Sequence, residues 1–176
     1  KELLESWGLK VKLGATIGLD NFQLGGTDLE RAADFQNMMD DENIQAIWCA
    51  RGGYGTVRMV DLLDFTKFNK KPKWIMGFSD VTVLHSQANV ERVASLHCIM
   101  PFTVPKASDE VKETLRKALF GEKIEYTIPI KYHDIQGKTS GELVGGNLSI
   151  LYSLLGSKSS LDTNKKILYI EDLDEY

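Results

Sequence analysis

An α/β fold, a parallel sheet with crossover helices, is predicted by three observations. Short apolar runs alternate with helical stretches through the first hundred residues. Two of those runs, residues 44–50 (IQAIWCA) and 73–78 (KWIMGF), each lead through a turn into a helical stretch. Strand, loop and helix in repeated order is the pattern of crossover connections.

Each element has its own local reason. Leu3, Leu4 and Trp7 share a helical face, and Gly8 is placed to close that helix before a short strand over 9–13. After Gly25-Gly26, the run Thr27-Asp28-Leu29-Glu30 reads as a capping box. The helix it opens sets Leu29, Ala32, Ala33 and Gln36 on one face, with Phe35 and Met39 beside them. The nearly unbroken apolar run at 44–50 is expected of a strand covered on both faces. It ends at Arg51-Gly52-Gly53-Tyr54-Gly55, and a helical stretch carrying Val57, Val60, Leu62 and Leu63 follows. The second strand ends at Ser79-Asp80, with a helix over 81–92 and a further strand over 93–99. Val111, Leu115, Ala118 and Leu119 mark a helix over 109–120 that Gly121 ends. A strand running from Ile124 to Pro129 comes next. Leu148, Leu151, Tyr152 and Leu155 at i, i+3, i+4 and i+7 give the strongest helix signal, closed by Gly156. A last strand spans 167–170. A domain boundary is expected near residue 121, separating an N-terminal unit (1–120) from the start of a smaller α/β unit (121–176).

Composition narrows the function. The chain has 176 residues, 43% hydrophobic and 26% charged, with a formal net charge of −4. Mild acidity argues against a nucleic-acid partner, whose footprint is a basic patch. No apolar run reaches the ~18 residues of a membrane span, and no charged-then-apolar leader opens the sequence. Cys49 and Cys98 lie in apolar runs, where a buried thiol is the usual state, and neither has a partner at metal-ligand spacing. A soluble, cytoplasmic protein without metal is expected. Because the chain opens inside a helix and stops just after a strand, it is also expected to be a piece of a longer protein.

In an open parallel sheet, ligands bind beyond the carboxyl ends of the strands. Two loops qualify. The Arg51–Gly55 loop carries three glycines, whose backbone N–H groups can approach an anion or a developing oxyanion, but it also reads as a plain tight turn. It matches neither the dinucleotide nor the Walker pattern. In Gly77-Phe78-Ser79-Asp80, the serine stands where a nucleophile elbow would hold it, yet serine is equally a favoured N-cap and the G-x-S-x-G pattern fails at Val81. Glu171 ends an apolar strand, as a catalytic acid or an ordinary strand-terminal one. Of the imidazoles, His85 reads as structural or solvent-facing, His97 as a hydrogen-bonded core residue, and His133 as part of a polar loop. None has a clear claim to be a base.

Five segments, in order, resemble the LD-carboxypeptidase family of serine peptidases: 26–34 (GTDLERAAD), 47–55 (IWCARGGYG), 75–82 (IMGFSDVT), 141–148 (GELVGGNL) and 167–172 (ILYIED). The family includes muramoyltetrapeptide carboxypeptidases and microcin C self-immunity peptidases. The resemblance implies a Rossmann-like N-terminal domain, a second domain and a Ser–His–Glu triad. On it, Ser79 is the nucleophile and Glu171 the acid that orients the histidine. The N–H groups of Asp80 and of Gly53 or Gly52 form the oxyanion hole, and Asn147 shapes the substrate site. It further implies a cytoplasmic homodimer without cofactor that removes the terminal D-alanine of murein tetrapeptides. A microcin C-type amide hydrolase is the alternative within the family. Outside it stand a non-catalytic anion-binding module and an inactive fragment. The family's histidine belongs to a Gly-His motif beyond the I-E-D strand, and none of His85, His97 or His133 aligns with it.

Overall fold

The computed structural model describes residues 1–173 apart from 130, 132, 133 and 136. In chain order the elements are α1 (Glu2–Ser6), α2 (Asp28–Asp40), β1 (Ala46–Trp48), α3 (Thr56–Met59), α4 (Thr66–Lys70), β2 (Trp74–Gly77), α5 (Thr82–Val90), β3 (Leu96–His97), α6 (Asp109–Leu119), β4 (Leu143–Asn147), α7 (Leu148–Ser153) and β5 (Ile167–Glu171). Single 3₁₀ turns cover Val60–Leu62, Ser79–Val81 and Val104–Lys106. β1, β2 and β3 form a parallel sheet in that order, and β4 pairs with β5 in a second parallel sheet. The α/β class and its crossover helices are as expected.

Caps behave as their residue types dictate. The Thr27 side chain accepts from Glu30 N–H while Glu30 reaches back to Thr27 N–H, so the capping box is complete. Gly8, Gly121 and Gly156 adopt φ of 82°, 71° and 78° just past α1, α6 and α7, the left-handed cap that only glycine takes without cost.

The core gathers where α2, α4, β2 and α5 meet. It is built on Phe35, Met39, Phe68, Ile75 and Leu84, with Met100 closing one end. Fully burying one such side chain is worth about 1.5–3 kcal/mol. A smaller cluster joins Val60 and Val83 to Leu154 of the second sheet's layer.

Several elements depart from expectation. Residues 9–13 and 124–129 form no strand. The former segment instead lines a cavity of about 2310 Å³ beside β1, and the turn that follows it is anchored by Asp34, whose carboxylate accepts from Ala15 N–H and from the N–H and hydroxyl of Thr16. β1 is three residues long, and its burial is partial rather than complete on both faces, because that cavity lies along it. β3 is cut to two residues. In α2 the buried set is Ala32, Phe35 and Met39, whereas Leu29 is 72% exposed. In α7 the predicted stripe is largely exposed, and Leu154 with Ile150 makes the core contact. Periodicity located that helix but not the side that packs, because a six-residue helix presents apolar residues nearly all round.

β4 and β5 pair in register along their whole length. A Cβ on Gly145 (φ 140°) would fall 1.7 Å from the Tyr169 carbonyl oxygen, so the strand pair tolerates no side chain there. Gly145→Ala is therefore expected to cost about 3 kcal/mol or more, through clash and backbone strain together. Urea unfolding checks this, with Gly141→Ala, where a Cβ meets only ordinary contacts, as the near-neutral comparison.

Candidate active site

The chain leaves β2 through a turn that few residues can make. Gly77 has φ 151°, and a Cβ on it would lie 2.8 Å from a Val81 methyl. Glycine is thus required for the start of the following helix to fold back over the strand. Two residues on, Ser79 has φ 60°, a left-handed conformation that costs a non-glycine residue roughly 1–2 kcal/mol. Strain of this kind at a strand-to-helix serine is what a nucleophile elbow uses to lift the hydroxyl clear of the sheet. Ser79 is half-buried, and it begins a 3₁₀ turn rather than capping a helix: no side-chain cap is made at the start of that turn or of α5.

Three interactions hold the turn. Gly77 O accepts from Cys98 N–H at 3.0 Å through the sheet and from His85 Nε2 at 2.9 Å. Because a carbonyl only accepts, Nε2 carries the imidazole proton, and Nδ1 accepts from the Ser95 hydroxyl at 2.8 Å. Burial pushes the His85 pKa down to about 4, against the smaller upward pull of the Gly77 bond. His85 is thus a neutral structural clamp with both nitrogens committed. The third interaction belongs to Asp80, whose buried carboxylate Oδ2 accepts from Thr56 N–H at 3.0 Å and from its hydroxyl at 2.7 Å. That tie draws the Arg51–Gly55 loop to the elbow.

The loop arrives in contact. A Cβ on Gly52 would stand 3.2 Å from Ser79 Oγ, and one on Gly53 would stand 4.0 Å from Asp80 Oδ2. Gly55 faces the Arg31 guanidinium at 2.6 Å in the same sense, so a side chain there would have to displace that arginine. Ser79, Asp80, Gly52 and Gly53 are therefore brought together.

The second sheet meets the elbow through Thr82. The Thr82 hydroxyl oxygen accepts from Asn147 N–H at 3.0 Å, and a Cβ on Gly146 would fall 2.5 Å from it. Asn147 and Glu171 are register partners at the carboxyl ends of β4 and β5. The Asn147 side chain caps α7 by accepting from Ile150 N–H at 3.1 Å, and donates to Asp172 Oδ1 at 3.0 Å. Glu171 is half-buried, and its Oε1 is shielded from solvent without a protein partner among the described residues. Between the two sheets stands His97, its ring 5.1 Å from that of Tyr169 and 5.7 Å from that of His85. The expectation that His97 is hydrogen-bonded is corrected at Nδ1, which is buried with no partner among the described residues, since its neighbours there are rings. Burial lowers the His97 pKa, and the Glu171 carboxylate partly offsets this. Desolvation also raises both half-buried cysteine thiols to about 12, which makes them inert. His133 lies outside the described residues. Thr56, Thr82 and His85 went unassigned in the sequence as positioning groups, because each acts through a contact 8 to 65 residues distant. Among the described residues, no cluster of His, Cys, Asp or Glu is arranged to hold a metal, and no helix is long and apolar enough to cross a membrane.

An α/β protein with a left-handed serine after a strand and a facing diglycine loop has the strand-turn-helix geometry of a nucleophile elbow. The chain matches the LD-carboxypeptidase N-terminal domain over residues 1–98 and the LD-carboxypeptidase C-terminal domain over residues 140–176, and it belongs to that family. It is 39% identical over 178 residues to a Bacillus subtilis (strain 168) protein named "Probable murein peptide carboxypeptidase", covering 98% of this chain and 56% of that one. The crystal structure of muramoyltetrapeptide carboxypeptidase from Oxalobacter formigenes superposes with a TM-score of 0.83 at 25% identity, over 99% of this chain and 60% of that chain. MccF in complex with glutamyl sulfamoyl guanosine shares the fold, with a TM-score of 0.81 at 24% identity over 97% of this chain and 61% of that one. The chain thus spans a little over half the length of these relatives.

The buried clamp predicts how stability depends on pH. His85 titrates near 4 when folded and near its ordinary 6.5 when unfolded, so between those values only the unfolded chain takes up the proton. Its contribution is fully present above pH 6.5 and is lost as pH falls toward 4, by about 3 kcal/mol at most. Urea unfolding at pH 7, 5.5 and 4.5 is expected to show a steeper loss for the native chain than for His85→Gln. Parallel curves would remove His85 from the acid response.

Proposed function

We propose that this chain carries the nucleophile and oxyanion hole of a metal-independent serine carboxypeptidase that releases the terminal D-alanine of murein tetrapeptides by hydrolysing an L,D peptide bond. The observation that carries the reading is the left-handed Ser79, with the Gly52 backbone against its Oγ. Ser79 Oγ attacks the scissile carbonyl. The N–H groups of Asp80 and of Gly53 or Gly52 then bind the oxyanion, and one such donor is worth on the order of 3 kcal/mol. Glu171 orients the base that takes the serine proton, the role of the third member of a triad. His85 is not that base, since both its nitrogens are engaged. Asn147 contributes by fixing the end of β4 beside α7, with one amide N–H left over for substrate.

Names of relatives support the substrate: the B. subtilis protein's name specifies a murein peptide, and the Oxalobacter enzyme's a muramoyltetrapeptide. The reading includes a division into two domains near residue 121, which is compatible with family matches over residues 1–98 and 140–176. On family resemblance, the reading extends to a cytoplasmic homodimer that needs no cofactor.

In the complete protein, Ser79→Ala is expected to lower kcat on murein tetrapeptide by at least about 10³-fold, while circular dichroism and melting temperature hold. Mass spectrometry of released D-alanine is the readout. Turnover close to the parent's would take Ser79 out of the mechanism.

A further inference from the structure

The proposed mechanism uses the glycines of the Arg51–Gly55 loop but leaves its arginine idle. Arg51 is exposed, and among the described residues its guanidinium makes neither an ion pair nor a hydrogen bond. Its Cζ instead stands 5.7 Å from the centroid of the Phe102 ring. Phe102 is anchored to the same loop, because its N–H donates to Ala50 O at 3.1 Å. Nearby arginines are spent: Arg31 and Arg58 both bind Asp28, at 2.5 and 2.8 Å. Arg51 is thus a cation held against an aromatic face, with its N–H edges open, one residue from the glycine that touches Ser79.

We propose that Arg51 is the receptor for the free carboxylate at the C-terminus of the peptide substrate, and so the residue that makes this site act on the last peptide bond. The inference rests on the peptidase reading. If the scissile carbonyl sits at Ser79 Oγ, the terminal carboxylate lies one residue further on, about 3.8 Å along the chain. A long side chain on the residue beside the oxyanion loop covers that distance. Guanidinium is the fitting chemistry, since its planar fork meets both carboxylate oxygens at once. The stack on Phe102 restricts its rotamers before substrate arrives, which lowers the ordering cost of binding. Tyr54 of the same loop is 84% exposed but offers no positive charge.

The test is calorimetric binding to the complete protein carrying Ser79→Ala. Two ligands are compared: a murein tetrapeptide with a free C-terminal carboxylate and the same peptide as its carboxamide. The acid is expected to bind at least about tenfold more tightly. Adding Arg51→Ala should bring the acid to the amide's affinity while leaving the amide within about twofold, and Arg51→Lys should recover part of the preference. Equal binding of acid and amide before Arg51 is changed, a preference that survives Arg51→Ala, an equal loss on both ligands, or no binding of either would each overturn the assignment. The peptidase reading fails by a different result, undiminished hydrolysis in Ser79→Ala.

Discussion

The structure depends on holding one non-glycine residue, Ser79, in a left-handed backbone conformation at the end of β2. That conformation costs free energy at a position with little packing of its own, and the surroundings supply the offset. Gly77 removes the Cβ that would strike Val81. His85 and Cys98 both donate to the Gly77 carbonyl, so the peptide entering the turn cannot rotate. Each of those bonds contributes about 1 kcal/mol net, together comparable to the strain. The cost of breaking either is larger, because Gly77 and His85 are buried and an unpaired group there stays desolvated.

The same turn organises its neighbours on both sides. On one side the Asp80 carboxylate receives two donors from Thr56, which fixes where the diglycine loop crosses the elbow. On the other, Thr82 takes the Asn147 N–H and leaves no room for a side chain on Gly146. Residues 79, 80 and 82 thus face three tasks within one helical turn: on the proposed reading chemistry, and by their contacts loop placement and sheet docking. A short stretch can do this because successive residues of a tight turn point in different directions. Substitutions here therefore couple, and the effects of changing Asp80 and Thr82 together need not sum.

Much of this was legible in sequence where local chemistry decides. The capping box at Thr27 and Glu30, the terminal glycines 8, 121 and 156, and the strand-turn-helix at 74–90 follow from residue type and spacing. What escaped was decided by distant partners. Residues 9–13 alternate well enough for a strand but run beside a cavity, with no strand paired to them. Leu29 and Leu148 have helical spacing yet face outward, because the packing partner lies toward Phe35 in one helix and Leu154 in the other. The left-handed turn at Ser79 and the approach of the Gly52–Gly53 pair were readable from local sequence only as one alternative of two. An N-capping serine and an elbow serine look alike until the sign of φ is known. His85 was equally ambiguous, since a histidine on a helix shows its burial only when Gly77 and Ser95 are seen beside it.

The division of charge around the elbow follows from the same placement. An oxyanion forming near Gly52 would be opposed by a carboxylate aimed at it, and Asp80 is the nearest acid in the sequence. Its Oδ2 instead accepts from the Thr56 N–H and hydroxyl, which turns the carboxylate toward that residue, while its backbone N–H belongs to the elbow itself. On the proposed reading the residue offers its N–H to the reacting oxygen, while its carboxylate tethers the opposite wall. His85, held neutral, adds no charge of its own to the buried turn. Positive charge is left to Arg51 at the rim, where solvent limits its desolvation cost. The buried Asp80 carboxylate is thus turned toward Thr56, and on the proposed reading the reacting oxygen meets fixed backbone dipoles, the means by which an acyl-transfer site stabilises a transient anion.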